Sequence, residues 1–168
     1  MTKLADQLFA NKYTPKLQHL YEVSFPDALG LSPLYIVKFA RPSVSFGTVE
    51  MGYLNQRRSI AAPVERREDI QMTLEDPIEN STSNVVEAWR SLIMNQSTGR
   101  GGYPSIYMQT VIVKVKDYQN EVVEQWTFED AFLTNINFGD LGVEGNTDGT
   151  QKVQIQCTLK YNRYHKDF

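Results

Sequence analysis

The stretch Lys152-Val-Gln-Ile-Gln-Cys-Thr-Leu-Lys-Tyr161 carries the clearest structural pattern in the chain. Apolar and polar residues alternate along it, which is typical of a β-strand because successive side chains of a strand point to opposite faces. One face of this predicted strand is apolar and belongs to a core. The opposite face is polar and nearly uncharged, and it consists of Lys152, Gln154, Gln156, Thr158 and Lys160.

Other strands are predicted on both sides of a single helix. Residues 69–76 alternate in the same way, with Ile70, Met72 and Leu74 on one face. Residues 43–62 predict a long hairpin with its turn between positions 52 and 56. Aromatic and β-branched residues between turn signals predict further strands at residues 20–25, 34–39, 105–116, 122–128 and 131–138. The sequence therefore predicts a mainly β fold.

One α-helix is predicted around Trp89, which we expect to anchor the helix to the sheet. Its apolar stripe has helical spacing, and Ser83 or Asn84 is available as N-cap. The Gly- and Ser-rich residues 96–105 then predict an exposed loop. A short helical lead is predicted at residues 4–9. The stripe comprises Val85, Val86, Trp89, Leu92 and Ile93.

The composition favours one domain spanning residues 1–168. It also argues against a protein that binds nucleic acid tightly. The 17 Lys and Arg residues against 20 Asp and Glu give a formal net charge of -3, which opposes tight phosphate binding. A single cysteine, Cys157, excludes an intrachain disulfide and fits a reducing compartment. The first residues do not resemble a secretory signal, and no apolar run is long enough to span a bilayer.

Residues suited to catalysis are scarce. His19 and His165 are expected at the surface, and Cys157 is expected to be buried and inert. Residues 144–149 imitate the start of a calcium loop, but Ile155 stands where a bidentate Glu is required. Residues 99–102 lack the Lys-Ser/Thr ending of a phosphate-binding loop. We therefore expect neither catalytic activity nor a metal or other cofactor.

Several strings, in their order and spacing, resemble the tail tube proteins of contractile-tailed, myovirus-type bacteriophages. The longest runs from Pro42 to Arg57 and contains Gly52-Tyr-Leu-Asn55. The resemblance covers the chain from Leu20 onward. A lead before Pro15 and an extension at residues 162–168 depart from the family pattern. Other matching strings are residues 58–62, 70–76, the Trp89 helix with its Gly-rich loop, Trp126, residues 132–135, 138–141 and 153–161.

The resemblance implies a β-barrel or sandwich with a flanking helix and a long hairpin. It implies hexameric rings stacked into the inner tail tube of a virion, assembled in the host cytoplasm. The sheath, the baseplate, a tube terminator and a tape-measure protein would be partners, and DNA would pass through without specific binding. The same fold is similar to type VI secretion ring proteins and contractile bacteriocins, so a tube initiator, a terminator or a secretion-system tube protein is the alternative.

Two surfaces are expected to serve this assembly. The polar face of the last strand would line the lumen, with acids such as Glu121 or Glu124 outweighing its lysines. Trp126, like Trp89, is expected as a core anchor. A small enzyme on a β-barrel and a single-stranded nucleic-acid binder are rival classes, opposed by the few histidines and the net acidity. The hairpin would contact a neighbouring subunit through Phe46, Val49, Met51, Tyr53, Leu54, Arg57 and Arg58.

Overall fold

The computed structural model describes residues 14–142 and 152–168. The helices of these residues are α1 (Ser81–Ile93) and the short α2 (Pro104–Tyr107). The strands are β1 (Tyr21–Ser24), β2 (Ile36–Phe39), β3 (Val44–Tyr53), β4 (Gln56–Arg67), β5 (Ile70–Glu75), β6 (Gln109–Lys116), β7 (Val122–Asn137), β8 (Gln154–Lys160) and β9 (Arg163–Lys166).

Seven of these strands form one sheet in the order β1-β6-β7-β8-β5-β2, with β9 added to β7. The sheet folds over on itself like a sandwich and does not close into a barrel, because β1 and β2 are its two ends. A side chain bridges these ends, since the hydroxyl of Tyr21 donates a hydrogen bond to the carbonyl of Ile36 at 3.1 Å. The predicted barrel-or-sandwich class is confirmed in its sandwich form.

Strand β7 holds the two halves of the sheet together. It pairs with β6 along its first part and with β8 along its second part. The prediction of two strands, at 122–128 and 131–138, is wrong, because the chain continues through Asp130 in a positive-φ conformation of 53°. A residue of this kind lets a strand bend without ending. One long strand therefore belongs to both halves.

The core confirms the alternation read from β5 and β8. Ile70, Met72 and Leu74 are buried, and they pair in register with Leu159, Cys157 and Ile155 of β8. Burial raises the pKa of the Cys157 thiol to about 12, so this thiol is protonated and unreactive at neutral pH. Val153 departs from the prediction, because it precedes β8 and is 42% exposed.

Helix α1 begins earlier than predicted. Its first residue is Ser81, and Asn80 before it has φ 54° and makes no side-chain cap. The carboxylate of Asp76 instead accepts a hydrogen bond from the backbone N–H of Ser83 at 3.1 Å. The predicted caps, Ser83 and Asn84, lie within the first turn. A residue at the end of β5 therefore satisfies the helix terminus across the connecting turn.

Trp89 of α1 is a core residue, and its role as the anchor of the helix stays a prediction. It is 1% exposed, its indole N–H donates to the carbonyl of Tyr107 at 2.8 Å, and its ring meets Phe25 edge-on at 6.1 Å. Val86 is buried beside it, whereas Leu92 is largely exposed. Trp126 is half-buried and packs against the core from β7, and its role as a core anchor stays a prediction.

Two predicted strands begin late because short helical turns replace their first residues. Residues 33–35 form a 3-10 turn before β2, and α2 precedes β6. The predicted loop at 96–105 is exposed, but a bridge between Met94 and Gly101 orders it. Gly102 is required there, because a Cβ at this position would lie 1.8 Å from the carbonyl oxygen of Leu92.

None of the helices in residues 14–142 and 152–168 is long and apolar enough to cross a bilayer. Within the same residues, no cluster of His, Cys, Asp and Glu is suited to holding a metal ion. His19 is exposed, and His165 lies half-exposed near Glu129 and Asp167. The predicted helical lead at 4–9 and the calcium-like string at 144–149 lie outside the described residues.

Candidate assembly surfaces

The hairpin arm, residues 44–67, is the first candidate surface. Strands β3 and β4 form a separate two-stranded sheet, which runs from the pair Val44–Arg67 to the pair Tyr53–Gln56 with one register shift between Phe46 and Thr48. The turn lies at Leu54, with φ 52°, as the sequence predicted. The arm is longer than predicted because β4 continues to Arg67. An extended pair of strands with both broad faces open is not stable by packing within itself alone.

The register divides the hairpin arm into two faces. Val49 pairs with Ile60, and Met51 pairs with Arg58, so these four residues share one face together with Tyr53. This face is mainly apolar but exposed, with Tyr53 at 80% and the adjoining tip residue Leu54 at 89%. Ile60 was not among the predicted contact residues, although the alternation of β4 places it on the same face as Val49.

The opposite face of the hairpin arm is polar. Glu50 pairs with Ser59, and Gly52 pairs with Arg57. Arg57 and Arg58 therefore point to opposite faces of the arm. Neither arginine forms an ion pair with a carboxylate of the described residues. Phe46 is also exposed, on the far side of a register shift between Phe46 and Thr48.

The base of the hairpin arm is fixed to the main sheet. The backbone N–H of Glu68 donates to the carbonyl of Ser43 at 3.1 Å, and the Arg67 guanidinium donates to the carbonyl of Asn162. The same guanidinium lies 5.9 Å from the centre of the Tyr164 ring. These contacts fix the position from which the arm leaves the sheet, next to the start of β5.

Glu124 of β7 is buried and forms an ionic cluster with two exposed cations near the segment that leads into the arm. Its carboxylate accepts hydrogen bonds from Lys16 and Trp126, and Arg41 Nη1 lies 3.7 Å from its Oε1. Burial alone would raise the pKa of Glu124, but these hydrogen bonds and the charges of Lys16 and Arg41 outweigh burial and hold the pKa below its usual value. The cluster joins residues far apart in sequence.

Glu124 is expected to make stability depend on pH. Its depressed folded-state pKa means that its contribution is fully present above the unfolded value of about 4.3 and is lost as the pH falls through the folded value. The urea midpoint of Glu124→Gln at pH 7 should therefore be below wild type, with a smaller loss between pH 7 and pH 3. Glu121→Gln, an exposed neighbour, is the control. Parallel pH curves for Glu124→Gln and wild type would contradict the role.

The polar face of the sheet is the second candidate surface. Gln154, Gln156 and Thr158 of β8 lie opposite the core side, and the Thr158 hydroxyl donates to the side-chain carbonyl of Gln71 at 3.1 Å. Strands β5 and β7 extend this face, because the partners of the β8 residues across both ladders are also polar. These partners are Glu75, Thr73, Gln71, Asn137 and Asn135.

The charges on this face differ from the expectation. Glu124 is buried in its cluster, and Glu121 precedes β7 in the turn after β6, so neither acid lies beside β8. Among the described residues of β5 and β8, Glu75 is the one carboxylate on the polar face. The Nζ atom of Lys152 lies 3.0 Å from Oε1 of Glu75. Amides and hydroxyls, together with the exposed lysines Lys38 and Lys160, therefore make up the polar face, and acids are not in excess there.

The C-terminal residues form an edge strand that the sequence analysis did not foresee. Strand β9 pairs with β7 from Trp126 to Glu129. Tyr164 packs against Trp126 and Tyr161, and the carboxylate of Asp167 accepts a hydrogen bond from Thr127 at 2.8 Å. β9 thus covers a stretch of β7 that β8 does not reach, and its charged residues suit an exposed sheet edge.

A protein-family model described as T4-like virus tail tube protein gp19 matches residues 19–159 of the chain. The chain belongs to this family. The family consists of structural tail tube proteins, and the matched residues include the hairpin arm, α1 and most of the polar face. Strand β9 begins beyond the matched region.

Among curated proteins, the chain is similar to the tail tube protein of Serratia phage KSP90, with 26% identity over 106 residues. The aligned part is 62% of this chain and 58% of that relative, so the chain spans somewhat over half the length of the curated protein it matches.

Solved structures show the same fold in contractile injection systems. One is a chain of the sheath/tube terminator of the extracellular injection system PVC, with a TM-score of 0.71, 11% identity, and coverage of 93% of this chain and 99% of that chain. Another belongs to the PVC sheath-tube complex, with a TM-score of 0.60, 15% identity, and coverage of 99% and 98%. At these identities, the similarity concerns the fold alone.

Proposed function

We propose that the chain is a structural virion protein whose copies form rings that stack into the inner tube of a tail. The observation that carries this proposal is the hairpin arm, a projecting two-stranded sheet with an exposed apolar face. Burying such a face in a neighbouring subunit is favourable because it removes apolar surface from water. Membership of a tail tube family supports a neighbour of the same kind.

The proposed ring is a hexamer assembled in the host cytoplasm without metal or nucleotide. The sheath, the baseplate, a tube terminator and a tape-measure protein are the proposed partners, and similar solved structures come from sheath, tube and terminator assemblies. Extended arms suit this role because they can pack along the sheet edge of a neighbour. One domain per chain would then act as one wall segment of the tube.

The polar face of β8 is proposed to line the lumen. Its opposite side is the core, so only the polar side is available to a channel or to the outer surface. Most groups on this wall are amides and hydroxyls, which do not attract phosphate, and Lys152 is paired with Glu75. Such a wall favours passage of DNA. DNA is therefore proposed to move through the tube without specific binding.

A tube terminator is the second candidate, because one of the similar solved structures is described as a sheath/tube terminator. The two candidates differ in their assembly state. A tube protein stacks into long polymers, whereas a terminator forms a ring that ends a tube.

The experiment is light scattering of the purified chain over a concentration series, followed by negative-stain microscopy. Long tubes of uniform width, formed in the presence of EDTA, are the expected result. Rings that do not stack would favour the terminator. A strictly monomeric species at high concentration, unchanged by salt or crowding agents, would overturn both candidates.

A further inference from the structure

The end of the sheet opposite the base of the hairpin arm carries a second exposed patch, which we call the acidic rim. It is formed where β5 ends, β7 ends and β8 begins. The backbone N–H of Asp76 donates to the carbonyl of Val153 at 3.1 Å, which holds two of these segments together. The rim consists of Ile78, Glu79, Phe138, Asp140, Leu141 and Val153.

The third segment of the acidic rim is held equally close. Asn137, the last residue of β7, pairs with Gln156, so residues 138–142 continue past the start of β8. Gly139 has φ 79° and packs so tightly that a Cβ there would lie 2.6 Å from the carbonyl oxygen of Gln154. This close approach keeps the segment after β7 alongside the start of β8.

The acidic rim has the composition of an interface. Ile78 is 100% exposed and Leu141 is 86% exposed, and they follow the ends of the two strands that flank the start of β8. Glu79 and Asp140 are exposed, and neither forms an ion pair with a basic side chain of the described residues. The patch is therefore apolar with unpaired negative charge at its border.

The hairpin arm has the complementary composition. Its exposed residues near the turn are apolar, at Met51, Tyr53 and Leu54. The charged residues nearest the turn are the arginines Arg57 and Arg58, and Glu50 follows them on the polar face. Opposite charges across an interface favour the correct partner and its register. Apolar contacts between the two patches would supply most of the affinity.

The two patches lie at opposite ends of the same strand. The hairpin arm joins the sheet just before β5 begins at Ile70, and the acidic rim follows the end of β5 at Glu75. Strand β5 has six residues and spans about 20 Å, whereas β3, with ten residues, gives the arm a length of about 33 Å. The arm is therefore longer than the strand that separates the two patches. Contacts between different patches of identical copies can repeat without limit, which is what a stack requires.

We infer that the acidic rim is the acceptor for the hairpin arm of a second copy of this chain. The inference rests on the proposed function, since it requires that the copies assemble. It assigns the two sides of the ring-to-ring contact: the tip of the arm, with Arg57 on one face and Arg58 on the other, meets the rim with Glu79 and Asp140.

The test is a charge swap read by sedimentation of assembled polymer. Glu79→Lys/Asp140→Lys and Arg57→Glu/Arg58→Glu should each raise the critical concentration for assembly by about tenfold or more, because like charges then face each other. Mixing the two variants, or combining all four changes in one chain, should restore assembly toward wild type. Asp27→Lys/Glu121→Lys, with the same charge change at exposed sites elsewhere, is the control and should assemble normally.

The outcomes distinguish failure of the acceptor assignment from failure of the proposed tube function. If the arm variant is defective and the rim variant assembles like the control, the acceptor assignment is overturned while the tube function stands. If both variants are defective without mutual rescue, the rim and the arm do not face each other. If wild-type chain does not assemble at all, the proposed function fails as well. Unchanged melting curves of the rim variant would show that its defect is not one of folding.

Discussion

Replacing Trp89 by alanine is expected to lower the free energy of unfolding by about 3–5 kcal/mol, the range seen when a buried aromatic residue is truncated. The indole is buried between α1 and the sheet, in edge contact with Phe25. Its loss leaves a cavity, and the carbonyl of Tyr107 loses the hydrogen bond donated by the indole N–H. Urea denaturation followed by circular dichroism measures the change.

Two variants separate these contributions. Trp89→Phe keeps much of the ring volume but removes the N–H donor, so its cost should be clearly smaller than that of the alanine variant. Trp126→Ala should also cost less, because Trp126 is half-buried. A Trp89→Ala midpoint equal to that of Trp126→Ala would contradict the anchoring role of α1.

Replacing Gln154 and Gln156 by arginine is expected to slow DNA ejection strongly at low salt, provided that the polar face of β8 lines the lumen. Two arginines per subunit add about twelve positive charges to each ring if the ring is a hexamer. Stacked rings repeat these charges along the whole channel, so many phosphate contacts would form in succession. Both glutamines are exposed and lie away from the core, so particles should still assemble.

The salt dependence of this effect identifies its origin. Phosphate contacts weaken as the salt concentration rises, so the delay in ejection should shrink steeply between low and physiological salt. Gln96→Arg/Gln119→Arg adds the same charge at exposed positions outside the polar face and serves as the control. If ejection by the Gln154 and Gln156 variant is normal at low salt, the polar face lies outside the lumen, for instance beneath the sheath.

Alternation of apolar and polar residues predicted the straight strands correctly but not the strand that bends. Alternation of Ile155, Cys157 and Leu159 predicted a core face because burial follows a local period of two residues. The same reasoning divided β7 in two, since Asp130 resembles a turn residue. Whether the chain turns or continues there depends on the partners β6, β8 and β9, which the local pattern does not contain.

The candidate surfaces also divide into features that a local pattern predicts and features that depend on distant segments. The hairpin arm was predictable, because two long extended segments flank a turn and must pair with each other. The start of α1 was not, because Asp76 satisfies it from outside the helix. The ionic cluster of Glu124 was not predictable either, because Lys16 and Arg41 belong to segments far from Glu124 in the sequence.

The sequence by itself determined the mainly β fold, the helix around Trp89, the hairpin arm and the two-sided character of β8, since each depends on periodicity within one segment. Tertiary structure alone decided that β9 covers the edge of β7 and that Ile78, Leu141 and Val153 share one rim. The physical reason is that these features join segments far apart in the chain, and only the register of the sheet brings those segments together.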